Sequence, residues 1–171
     1  MAQRRGISNV VATIILIAVA IALAVAVAIW VFGLFRSNAH AGTLNAISED
    51  LYLSSSSPTT AYLVLYVSNP TGTTQNIVSV TLGGASCTYA GASTSNPVSS
   101  TTVSTGGTAN GITGTTSSPG PVAIAGGTFA YLVYTCSSSS GYTAGVQYSG
   151  TIYLSTGTSI PFTVTAQVLS S

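Results

Sequence analysis

Charge is what this sequence has least of. Five of its 171 residues are charged at neutral pH, Arg4, Arg5, Arg36, Glu49 and Asp50, and there is no lysine. That is 3% of the chain, where an average protein carries roughly 25%. A net charge of +1 supplies no basic surface to neutralise phosphates, so no nucleic-acid partner is expected. The scarcity extends to catalytic groups. The one histidine, His40, has no nucleophile arranged beside it and reads as a solvated residue at the end of an apolar segment. Glu49 and Asp50 are the only side-chain carboxylates; as neighbours they would point to opposite faces of a strand, which suits paired acid-base chemistry poorly, and a solvated turn is expected there. Cys87, Cys136 and His40 are too scattered for a metal-ligand set, and no glycine motif that cradles phosphate occurs. Neither an enzyme nor a bound metal or cofactor is expected.

Low charge often accompanies disorder, but this chain is 46% hydrophobic and carries nine tyrosines, so it is able to bury a core. From residue 37 onward, 49 of 135 residues are Ser or Thr, which makes the polar surface one of hydroxyls rather than charges. Two consequences follow. With so few titratable groups, stability should depend little on pH, even in strongly acidic surroundings. The hydroxyls offer sites for O-glycosylation, whereas Asn69 and Asn96 are each followed by proline and no permitted Asn-x-Ser/Thr site is present.

Residues 7–35 are 29 consecutive positions without a charge, against roughly 20 needed to cross a bilayer core as a helix. A cleaved secretory signal has an apolar stretch of only about 7–15 residues. A plain membrane anchor fits on length, so the internal pattern has to decide. Alanine occupies every second position from Ala18 through Ala20, Ala22, Ala24 and Ala26 to Ala28. On a helix these form two narrow stripes about 200° apart, separated by ridges of Ile17, Ile21, Val25 and Ile29 and of Val19, Leu23 and Val27. Such a helix can be packed closely on several sides, although alanine is also common in membrane helices generally. Trp30 sits where an indole prefers a membrane-water interface, and Arg4 and Arg5 favour a cytoplasmic N-terminus, leaving the remainder outside the cell.

The opening residues Arg4-Arg5-Gly6-Ile7-Ser8-Asn9-Val10-Val11-Ala12-Thr13 resemble the N-terminus of archaeal type IV pilins and archaellins, over roughly residues 1–36. The resemblance implies a leader over 1–6, a prepilin peptidase site between Gly6 and Ile7 recognised with Arg4 and Arg5, and a membrane and filament-core helix over 7–41. Bacterial pilins usually place a glutamate five residues into the mature chain; here that position is Val11, which favours the archaeal branch. The resemblance further implies a helical filament of identical subunits on the cell surface, adhesion as its role, and assembly from the membrane by an ATPase and a platform protein.

Beyond residue 41 the apolar periodicity changes to alternation, broken by clusters of Gly, Pro, Ser, Thr and Asn. Strands are predicted over 60–68, 77–82, 128–135, 145–154 and 160–168. The last alternates cleanly, with Ile160, Phe162, Val164, Ala166 and Val168 on one face, while Tyr62 to Val67 is apolar on both faces and is expected to be central. Residues 91–121 are expected to be long loops or weak edge strands, with a disordered linker as the alternative. The spacing points to an extracellular two-sheet, immunoglobulin-like sandwich over 42–171, for an α+β chain overall. Cys87 and Cys136 each lie beside a predicted strand; an oxidising exterior favours a disulfide between them, and two separate buried thiols are the alternative.

The expected function is therefore that of a major pilin. The alternatives are an archaellin of a swimming filament, and a monomeric membrane-anchored surface module that captures a sugar or another ligand.

Overall fold

The computed structural model describes residues 4–39, 42–54 and 59–169, with side chains described over 7–32, 42–54 and 59–169. The chain divides into two compact units, Met1–Ala41 and Gly42–Ser171.

The first unit is one helix, α1 (Arg4–Ala39), about 54 Å long at 1.5 Å per residue. From residue 7 to 32 there is neither glycine nor proline to interrupt the backbone ladder. The few polar side chains there are Ser8, Asn9 and Thr13. Thr13 Oγ1 donates to the Asn9 carbonyl four residues back (2.8 Å), so its hydroxyl is satisfied inside the helix.

The second unit is a sheet of nine strands: β1 (Asn45–Leu53), β2 (Thr60–Ser68), β3 (Gln75–Leu82), β4 (Ala85–Ser93), β5 (Ile112–Gly114), β6 (Val122–Ile124), β7 (Phe129–Ser137), β8 (Gln147–Leu154) and β9 (Ser159–Val168). Five of these, β2, β3, β7, β8 and β9, overlap the strands predicted from alternation, with ends shifted by up to two residues. The expected two-sheet sandwich does not form. Seven strands instead close into a barrel, in the order β4-β7-β2-β1-β9-β8-β3 and back to β4. The closing element is β3. One edge pairs with β8 over Ile77–Leu82, and Val80, Thr81 and Leu82 pair with Cys87, Ser86 and Ala85 of β4. The β3–β4 hairpin turns on Gly83 and Gly84, both with positive φ (57° and 83°), which a two-residue turn of the type that follows strand twist requires. All pairings are antiparallel except β1–β9. Short β6 and β5 extend from the first half of β3, leaving the three-residue β5 at the outer edge.

Glu49 and Asp50 correct a second expectation. They do not form a turn but lie inside β1, opposite Leu65 and Val64 of β2. Residues 91–121 are loop apart from the end of β4 and the short β5.

Alternate residues of the ring fill the barrel. Leu51, Leu63, Leu65, Val80, Leu82, Leu132, Tyr134 and Ile152 have no exposed surface, and Phe162, Val164 and Ala166 complete the layer from β9. Each large apolar side chain so buried contributes about 1.5–3 kcal/mol. Cys87 and Cys136 are cross-strand partners on β4 and β7, fully buried, and joined in a disulfide with Cα atoms 4.2 Å apart.

One polar residue is as buried as any of these. Asn69, with no exposed surface, donates from Nδ2 to the carbonyls of Thr73 and Ile124 (both 2.8 Å), and its Oδ1 accepts from the Thr71 amide (3.1 Å) and hydroxyl (2.7 Å). Its own amide donates to the Thr128 carbonyl, and its carbonyl accepts from Gly127. This ties the β2–β3 connection to β6 and to the β6–β7 turn.

Candidate functional site

Two surfaces stand out, one on each unit. On α1, the segment Ile7–Phe32 is 26 residues long, its most apolar 18-residue stretch has mean hydropathy 3.2, and none of it is buried. It is long and apolar enough to cross a membrane; at 1.5 Å per residue it spans about 39 Å, against about 30 Å for a bilayer core. Leu16, Ile29 and Trp30 are roughly 70% exposed (72%, 70% and 67%), and Ile17, on the side these three leave open, is 53% exposed. A helix apolar on every side finds its stable surroundings in lipid or among other helices. The unbroken helix places Ala18, Ala22 and Ala26 on one line and Ala20, Ala24 and Ala28 on another, all exposed. Ile7 is helical and 68% exposed. Of the expected processing residues, Arg4, Arg5 and Gly6 begin the helix, but their side chains lie outside the described residues, as do residues 1–3 and His40.

On the barrel, the outer surface is of two kinds. Along β8 and β9 it presents Gln147, Ser149, Thr163, Thr165 and Gln167, all exposed. Along β1, β2 and β7 it presents tyrosines. Tyr66 pairs with Tyr131 across the β2–β7 ladder, their ring centroids 4.5 Å apart, and the next outward pair is Val64–Val133. These valines face away from the barrel interior yet are only 3% and 1% exposed. The next outward pair is Tyr62–Thr135, with Tyr52 beside Tyr62 on β1.

The tyrosine strip runs into a groove of about 340 Å³. Its floor is the cross-strand row Tyr62, Thr135 and Thr88 on β2, β7 and β4. Its walls exist because β4 leaves β3 after Cys87 and two loop segments take over its edge. Tyr89 exchanges hydrogen bonds with Ser117 and Ser118 (2.7 Å each), the Gly106 amide donates to Ala90 O (2.6 Å), and the Ala92 amide donates to Gly107 O (2.8 Å). The close approach depends on Gly91: a Cβ there would sit 2.7 Å from the Gly106 nitrogen. Thr105 and Thr116 complete the rim.

The groove contains no carboxylate, amine or imidazole. Among the described residues there is no group of three or more His, Cys, Asp or Glu able to hold a metal ion. The Tyr89 ring turns into the core, 4% exposed and edge-on to Tyr134 with centroids 5.7 Å apart, and this burial raises its phenol's ionisation above the usual range. Sequence alone marks Tyr62 only as a strand residue; the groove is made by contacts between distant segments, and the one local signal is the Gly106-Gly107 pair.

Comparison of the chain with protein-family models and with curated proteins gives no match to either.

Proposed function

We propose that this chain is the major subunit of an archaeal type IV pilus-like adhesive filament, held together by its N-terminal helix. The observation that carries this reading is the contrast between a barrel with a sealed core and a 26-residue apolar span with no burial. A subunit awaits assembly with the span in the membrane, and on extraction exchanges lipid for the helices of identical subunits. The alanine stripes permit close approach, and dispersion contacts between helices replace those to lipid. The disulfide fits an oxidising exterior for the barrel, and Arg4 and Arg5 fit a cytoplasmic N-terminus before assembly. Resemblance of residues 1–36 to the family supplies the leader over 1–6, the peptidase cut before Ile7, the ATPase and the platform protein.

Electron microscopy of filaments sheared from cells, with N-terminal sequencing of the main subunit, tests the reading. Filaments whose subunit begins at Ile7 are expected. A membrane-bound monomer that keeps Met1 would replace the pilin with an anchored surface module, and loss of swimming on gene deletion would make the filament an archaellum. Ala22→Phe widens one stripe and should abolish filaments while leaving the subunit folded in the membrane.

A further inference from the structure

We propose that the groove between β4 and its two flanking loops binds a neutral carbohydrate, with the tyrosine strip as the platform along which the chain of sugars continues. The inference concerns the barrel alone and holds whether or not the subunit polymerises.

The ligand class follows from what lines the groove. Tyr62, Thr88, Thr105, Thr116, Ser117 and Thr135 bring hydroxyls from five separate segments to one concavity. A hydroxyl is both donor and acceptor, so such a lining suits a ligand whose own groups are also both, which is the character of a polyol. With no charged side chain at the groove, a phosphate, uronate or ammonium group would lose hydration without gaining an ionic partner. The volume lies near the lower end of the range for small-molecule sites, about 300–1,000 Å³, and suits a short saccharide segment. Beyond it, Tyr66 and Tyr131 offer ring surface, half-buried and therefore already ordered, against which the C–H face of a sugar can stack.

A peptide is the less favoured occupant. Strand addition needs a free edge, and beside the groove the edge of β4 is already bonded to residues 106–107 and 117–118. A helix or side-chain anchor needs an apolar pocket, and this one is lined mainly by hydroxyls. A second concavity, between the Gly83–Gly84 turn and residues 137–140, has serines but no aromatic ring and is not included.

The test uses the full chain in phospholipid nanodiscs, which avoids sugar-headed detergents, and a set of neutral trisaccharides of glucose, mannose and galactose. A trisaccharide of galacturonate and a Ser/Thr-rich peptide serve as comparators. Saturation-transfer NMR and titration should show at least one neutral trisaccharide binding saturably, weakened about tenfold by Tyr62→Ala and about threefold by Thr116→Val. Thr116 and Ser117 are exposed loop residues, so Thr116→Val and Ser117→Ala read out the site even where Tyr62→Ala fails to fold. Three results would overturn the inference: no neutral trisaccharide binding below about 10 mM, binding that survives the loop substitutions unchanged, or tighter binding of the galacturonate or the peptide.

Discussion

The helix and the barrel use similar aliphatic side chains to opposite ends. From Ile14 to Ile29 of α1 valine, isoleucine and leucine follow one another with only alanine between them, so every side of that stretch is apolar and no side is covered. In the barrel the same residues alternate with Ser, Thr and Tyr, so one face of each strand is hidden and the other is wetted or lightly covered. Closure of the ring removes the exposed strand edges on which sheets aggregate, so the barrel is complete in itself. The helix is not, since its apolar surface from residue 7 to 32 is left uncovered. Natural probes keep the two apart in solution, because all nine tyrosines lie beyond residue 42 and the single tryptophan, Trp30, lies in the helix.

The sharpest way to break this separation is to cut the barrel's covalent tie. The disulfide closes a loop with a sequence separation of 49, for which loop-closure entropy gives about 4 kcal/mol. The double change Cys87→Ser and Cys136→Ser should lower barrel stability by about that amount in denaturant titrations followed by tyrosine, with the Trp30 signal unmoved. A Trp30 transition that shifts in step would mean that the units are not independent.

The same substitution made in each unit sharpens the contrast further. Leu65→Ala empties a fully buried site and should cost about 3 kcal/mol by tyrosine-detected unfolding, since it loses both transfer energy and packing. Leu16→Ala removes equal volume from a side chain 72% exposed, and should leave the barrel transition within about 0.5 kcal/mol of the parent. Equal losses at the two positions would refute the division of labour.

Asn69→Ala tests the polar knot of the barrel at smaller cost. Removing the side-chain amide takes a donor from the Ile124 carbonyl and the acceptor from the Thr71 amide, while the Thr71 hydroxyl can still donate to the Thr73 carbonyl (2.9 Å), for an expected loss of about 2 kcal/mol by the same titration. A loss below about 0.5 kcal/mol would mean that water replaces the amide.

How much of this was legible in the sequence depended on the strand. β9 and β2 declared themselves, one by strict alternation and one by its continuous apolar run. β1 was hidden because Glu49 and Asp50 interrupt its pattern, and β4 because Ala-Ser-Cys-Thr-Tyr-Ala-Gly-Ala-Ser has weak strand propensity and is held by its neighbours. Barrel closure was not legible at all, since alternation says which face is buried and nothing about which edges meet. The Cys87–Cys136 bond was expected from the two cysteines each lying beside a strand. The groove was not, because Tyr62, Gly106 and Ser117 meet only through the fold.

The smallest effect concerns pH, and its sign is the informative part. Glu49 and Asp50 are the only acidic side chains in the barrel unit. Glu49 occupies the β1 position opposite inward-facing Leu65, and its carboxyl titrates above the usual value, first because burial disfavours the charged form and second because Asp50 is beside it. A carboxyl whose folded pKa exceeds its unfolded one favours folding when protonated. Its contribution is fully present below the unfolded value, near 4.5, and is lost as pH rises through the folded value. Acidification from pH 7 to pH 3 should therefore leave the barrel's melting temperature unchanged or slightly higher, the reverse of ordinary acid denaturation, and Glu49→Gln should flatten that rise. A melting temperature that falls on acidification, in the parent and in Glu49→Gln alike, would mean that some group other than Glu49 sets the pH response. It would also mean that scarcity of charge alone does not make the barrel insensitive to acid.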